Sequence, residues 1–91
     1  MNRDDYERLR EITGPHAIAP VPSEDTNVAY IEIDLDRAGL LETDLLNDLN
    51  ETGYMHRADR KVRPSGMQLQ FMGRFAVEGR RYILFEDVNA Q

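Results

Sequence analysis

Residues 67–88 constrain this chain more than any other part of it, because they read as two β-strands joined by Glu78-Gly79. A two-residue loop containing glycine is a strong hairpin signal, since the tight turn that matches strand twist needs positive φ at its centre. With that turn in place, Val77 faces Arg80, Ala76 faces Arg81, Phe75 faces Tyr82, Arg74 faces Ile83 and Met72 faces Phe85. Counting by twos then separates two faces. One carries Met67, Leu69, Phe71, Gly73, Phe75, Val77, Tyr82, Leu84 and Val88 and is expected in the core. The other carries Gln68, Gln70, Met72, Arg74, Ala76, Arg81, Ile83, Phe85 and Asp87 and is half apolar. Gly73 is a candidate β-bulge, which would shift the register by one residue and exchange part of these two sets.

A sheet covered on one side alternates apolar-in and polar-out, so the apolar centre of the second face calls for a cover of its own. Two covers are open: an N-terminal helix with a narrow Tyr6-Leu9-Ile12 stripe, or another chain. An apolar centre rimmed by arginine has the composition of an interface. Met72, Arg74, Arg81, Ile83 and Phe85 are therefore the expected partner-binding residues, with homodimerisation the simplest arrangement.

The rest of the chain supplies the body for this hairpin. Asn2, with Asp5 three positions on, predicts a helix start, because unpaired amides and the helix dipole favour negative charge there; Gly14-Pro15 ends that helix. Pro15, Pro20 and Pro22 mark residues 14–26 as an extended connector, packed through Ile18 and Val21. Residues 28–35 alternate, placing Ala29, Ile31, Ile33 and Leu35 on one apolar face of a strand. A turn at Asp36-Arg37-Ala38-Gly39 leads into a second helix over 40–52. Its stripe is Leu41, Leu45, Leu46 and Leu49, and Gly53 stands at its left-handed end. Residues 54–62 lack a clean apolar side and predict an edge strand, with a right-handed crossover if it lies parallel to the first strand.

These elements give an α+β fold, a small single domain of order α-β-α-β-β-β. Its sheet is three- to four-stranded and mostly antiparallel, with a C-terminal β-hairpin and one helix packed on the core face. Residues 1–13 form the N-terminal helix, 14–26 the Pro-rich connector and 27–91 the α+β core. At 91 residues the chain has room for one domain, and the absence of cysteine removes disulfides, thiolate metal sites and thiol catalysis together. No apolar run approaches the roughly 18 residues of a membrane span, and the acidic N-terminus is unlike a secretion signal, so a cytoplasmic protein is expected.

Charge is distributed unevenly. Residues 1–53 hold 4 bases and 13 acids, whereas residues 54–91 hold 7 bases and 4 acids, and ten of the eleven bases are arginine. Opposite-signed halves can orient an encounter with a charged partner or with a second copy, or can reflect acidic helix faces beside basic strands. The arginine bias and the acidity fit a halophilic or a GC-rich host.

Other chemistries rest on weaker patterns. Arg57, Arg60, Lys61 and Arg63, with Arg80 and neighbouring Arg74 and Arg81, make a basic strip that with Tyr54, Tyr82 or Phe85 resembles a sheet-type nucleic-acid surface. Asp34 and Asp36, near Glu32 and Glu42, are carboxylates of the type that hold a hard cation, although such spacing arises by chance in an acidic chain. His16 and His56 have no nucleophile in a recognisable turn, so no catalytic set assembles and surface positions are expected for both.

Ile31-Glu32-Ile33, then Asp36-Arg37-Ala38-Gly39-Leu40-Leu41 and a Leu-rich helix ending in Gly53-Tyr54, resemble the first β-α-β of ACT-type regulatory domains over about a quarter of the chain. That resemblance implies amino-acid binding at the strand-to-helix turn, with Asp36 and Gly39 as the positions to probe. The spacing to Gly53 is one residue long for the pattern, and the interval from Gly73 to Gly79 leaves no place for a second helix. The expectation carried forward is a non-catalytic, regulatory or adaptor-like binding module without cofactor or metal. Nucleic-acid binding through the basic strip and a small-ligand or metal-binding regulatory domain are its alternatives.

Overall fold

In a computed structural model, which describes residues 3–14, 17–19, 29–56 and 66–89, the elements run α1 (Arg3–Thr13), β1 (Ile18–Ala19), β2 (Tyr30–Asp34), α2 (Leu35–Ala38), α3 (Glu42–Glu51), β3 (Leu69–Val77) and β4 (Arg80–Asp87). The strands form one antiparallel sheet in the order β1-β2-β4-β3, in which β1 is only two residues long. This is the expected small α+β fold. Among the described residues its topology departs from the expected order: the two-residue β1 forms within the expected connector and pairs with β2. Residues 54–56 do not form a strand; Met55 makes a single parallel bridge to Leu69, and residues 57–65 lie outside the described residues. The neighbours of β2 are β1 and β4, both antiparallel, so the β-α-β crossover does not form at β2.

Each element follows from local chemistry. Helix α1 has Asp4 and Asp5 in its first turn and Arg10 in its last, and the Gly14 amide closes on the Arg10 carbonyl at 2.8 Å with φ of 96°. The Asp34 carboxylate accepts from the Asp36 and Arg37 amides, both at 3.0 Å, which converts the expected turn into the one-turn helix α2. Gly39, left-handed at φ 66°, ends it. Helix α3 begins at Glu42 rather than 40, so Leu41 precedes its first turn and is 59% exposed, while Leu45 and Leu49 are fully buried.

Both long helices contribute to one core. Tyr6 and Leu9 of α1 join Leu45 and Leu49 of α3 over Ile31 and Ile33 of β2, Ile83 and Phe85 of β4, and Leu69 of β3. Two helices, not one, therefore cover the core face. At its far end, Asp5 and Asp87 hold consecutive amides of the segment entering β3. The Met67 amide hydrogen-bonds to Asp5, and the Gln68 amide donates to Asp87 at 3.0 Å.

The hairpin keeps the expected register from its turn as far as Arg74 opposite Ile83, and then a bulge at Met72 shifts it. Phe71, not Met72, lies opposite Phe85. Gly73, at φ 151°, supplies a backbone conformation that other residues rarely adopt. The consequence is an exchange of faces. Met67 and Leu69, before the bulge, share the core with Ile83 and Phe85, whereas Phe75 and Val77, after it, share the opposite face with Tyr82 and Leu84.

Candidate functional site

The hairpin is apolar on both sides, and the two helices cover the side of Ile83 and Phe85. Both residues are fully buried, opposite Ile33 and Ile31 of β2. This corrects the expectation that they form an outer binding face. The strand β2 has only one apolar side, Ile31 and Ile33, and pairing that side with β4 draws Ile83 and Phe85 beneath the helices. Of the two covers weighed from sequence, the chain's own helices are the one that applies. Met72 keeps its place at the surface at 46% exposure, beside the bulge.

The face left open belongs to residues first assigned to the core. Phe75 and Tyr82 lie opposite each other there and stack with ring centroids 5.1 Å apart and planes within 6°. Leu84 and Tyr82 are half-buried, and Val77 is half exposed. Among the described residues, the exposed large apolar side chains are Tyr30, Leu41, Phe71, Met72, Phe75 and Val77. Four of these six belong to β3, an edge strand of the sheet. They occupy both sides of it, because Phe71 meets Phe85 edge-on at 6.4 Å on the helix side while Phe75 and Val77 point to the open side.

The three arginines at the hairpin tip each meet a carboxylate of the segment 34–42. Arg74 reaches Glu42 at 2.8 Å, and Arg80 reaches Asp34 at 3.7 Å. Arg81 forms the fullest pair: its amide and guanidinium both donate to Asp36, at 2.8 Å each. The Arg81 hydrogen bonds hold the Asp36 carboxyl below its ordinary pKa and raise that of Arg81 in turn. Among the described residues, the bases of the second half of the chain are thus joined to acids of the first half within the molecule. An open cleft of about 320 Å³ is lined by Leu35 and Glu42 together with Arg74, Phe75, Ala76, Arg81 and Tyr82 of the hairpin. An anion entering it would compete with carboxylates already seated on both guanidinium groups.

The other sequence-derived sites are placed as follows. Arg57, Arg60, Lys61 and Arg63 lie outside the described residues; Arg74, Arg80 and Arg81, the remaining members of the nucleic-acid strip, are engaged by Glu42, Asp34 and Asp36. Asp34 caps α2 and Asp36 binds Arg81, and no group of three or more His, Cys, Asp or Glu is arranged around a metal-sized space among the described residues. His16 is outside the described residues. His56 is half-buried instead of being a surface residue, with Nδ1 enclosed and without a hydrogen-bond partner among the described residues. The two-residue turn between β3 and β4 leaves no second helix of the ACT pattern. No protein-family model, curated protein or solved structure matches the chain. No helix among the described residues is long and apolar enough to cross a membrane.

Proposed function

We propose that this chain is a non-catalytic protein-binding module, regulatory or adaptor-like, that works through its C-terminal hairpin and takes a second copy of itself as its simplest partner. The observation that supports this reading is the concentration of exposed apolar side chains on one strand: Phe71, Met72, Phe75 and Val77 of β3 are each 36–50% open to solvent. Aromatic residues, methionine and arginine are the types enriched where proteins meet, and Arg74 lies among these four. The contact surface is thus the hairpin proposed from sequence, with Phe75 and Val77 in the roles first given to Ile83 and Phe85. The cysteine-free composition belongs with a cytoplasmic setting in the same reading.

Light scattering on size-separated protein across a hundredfold range of concentration tests it. The reading expects a particle of about twice the 10.5 kDa chain mass that dissociates on dilution. A single-chain mass at every concentration, in both 0.15 M and molar salt, contradicts it.

A further inference from the structure

The geometry points to the outer edge of β3, which over residues 71–77 has no strand partner but β4 among the described residues, as the contact itself: we propose that two copies pair their β3 strands antiparallel about a two-fold axis at Ala76, joining two sheets into one. The proposal rests on the binding-module reading and specifies its mode. A face-to-face contact would cover Phe75 and Val77 and leave Phe71 on the other side of the sheet; an edge contact lies beside both sides at once.

The backbone is prepared for this. In a hairpin closed by a two-residue turn, Val77 and Arg80 exchange hydrogen bonds, and so do Phe75 and Tyr82 and then Gly73 and Leu84. The amides and carbonyls of Arg74 and Ala76 therefore point away from β4, toward the edge. Among the described residues, Met55 bridges Leu69 alone, at the opposite end of the strand. Residues 74–77, on the turn side of the bulge, contain no proline or lysine, two of the residues that commonly guard an edge.

The side chains select the register. With the axis at Ala76, Phe75 of one copy lies opposite Val77 of the other, twice, and Arg74 comes beside Glu78, the first turn residue just past the end of β3, twice. Opposite charges and aromatic–β-branched pairs are both favourable across strands. Centring the axis on Arg74 instead would set the two arginines against each other, which is unfavourable. Arg74 is 68% exposed in its side chain while bound to Glu42, which leaves guanidinium donors for a second carboxylate.

Three variants test the inference by light scattering and sedimentation, with circular dichroism to confirm folding. Arg74→Glu should weaken the dimer roughly tenfold by replacing two attractive pairs with two repulsive ones, and Arg74→Glu combined with Glu78→Arg should restore it. Ala76→Pro, which removes one outward amide at an edge position that tolerates proline, should weaken it without the charge change. A wild-type dimer unaffected by Arg74→Glu and Ala76→Pro overturns the edge geometry and leaves the binding-module reading standing. A wild-type chain that is monomeric throughout overturns both.

Discussion

Phe75 and Tyr82 stack in parallel across the hairpin, 5.1 Å between ring centroids, on the side of the sheet opposite to the buried Ile83 and Phe85. One strand, β4, thereby supplies apolar side chains to two environments in strict alternation. The helices take one set, and the other set stays open.

The two sides should respond differently to truncation. Phe85→Ala empties a fully buried site and is expected to cost about 3–5 kcal/mol. Phe75→Ala removes a ring that is already 37% exposed, and its main loss is the stacking on Tyr82, about 1 kcal/mol. Urea denaturation of both variants as monomers checks the difference; equal losses would mean that the faces are assigned wrongly.

Gly73 should resist substitution for a backbone reason alone. A Cβ at this position would meet nothing within 4 Å, yet φ is 151°, so Gly73→Ala is expected to cost on the order of 1–3 kcal/mol through strain. Thermal unfolding measures it. A neutral substitution would show that the bulge does not depend on glycine.

Much of the hairpin was legible because its determinants are local. The Glu78-Gly79 turn dictates the pairs from Val77–Arg80 to Arg74–Ile83, and both central residues have the required positive φ, 51° and 78°. The single apolar side of β2 and the Leu45–Leu49 spacing on α3 are equally local. The choice of face was not local. Tyr82 and Leu84 are as apolar as Ile83 and Phe85, so the decision rests on pairing with Ile31 and Ile33, some fifty residues earlier in the chain. The partners of Arg74 and Arg81 were hidden for the same reason, since Glu42 and Asp36 are brought to them only by the packing of α2 and α3 beside the hairpin. The Gly73 signal was visible, and it pointed to the exchange of faces that the bulge produces.

The Asp34 side chain holds two amides of α2 and lies beside Arg80, so Asp34→Ala should lower stability by about 1–2 kcal/mol. Asp34→Asn, which keeps an accepting oxygen for the amides, should recover most of that loss. Chemical denaturation of the two variants distinguishes the cap from the ion pair.

Two carboxylates impose opposite pH dependences. Burial, and next the charge of Asp87, raise the pKa of Asp5 against the opposing pull of Arg8 and the Met67 amide. The folded state therefore binds the Asp5 proton more tightly than the unfolded chain does. Its contribution is present below the unfolded pKa and is lost as pH rises through the raised folded value. Asp5→Asn should then stabilise the protein at neutral pH, and the gain should shrink as pH falls toward the ordinary carboxylate range. Asp36 has the reverse sign: hydrogen bonds from Arg81 lower its pKa, so its contribution holds above the unfolded value and is lost as pH falls through the lowered one. Thermal melts of Asp5→Asn and Asp36→Asn at a series of pH values check both signs.

Amide chemical shifts followed on dilution examine the role of the hairpin most directly, because they report each residue's surroundings as the particle comes apart. The account predicts concentration-dependent shifts centred on Arg74, Ala76 and Val77, extending to Phe75 and Tyr82, with α1 and α3 unchanged. Shifts centred on the helices, or spectra that do not change with concentration, would contradict it.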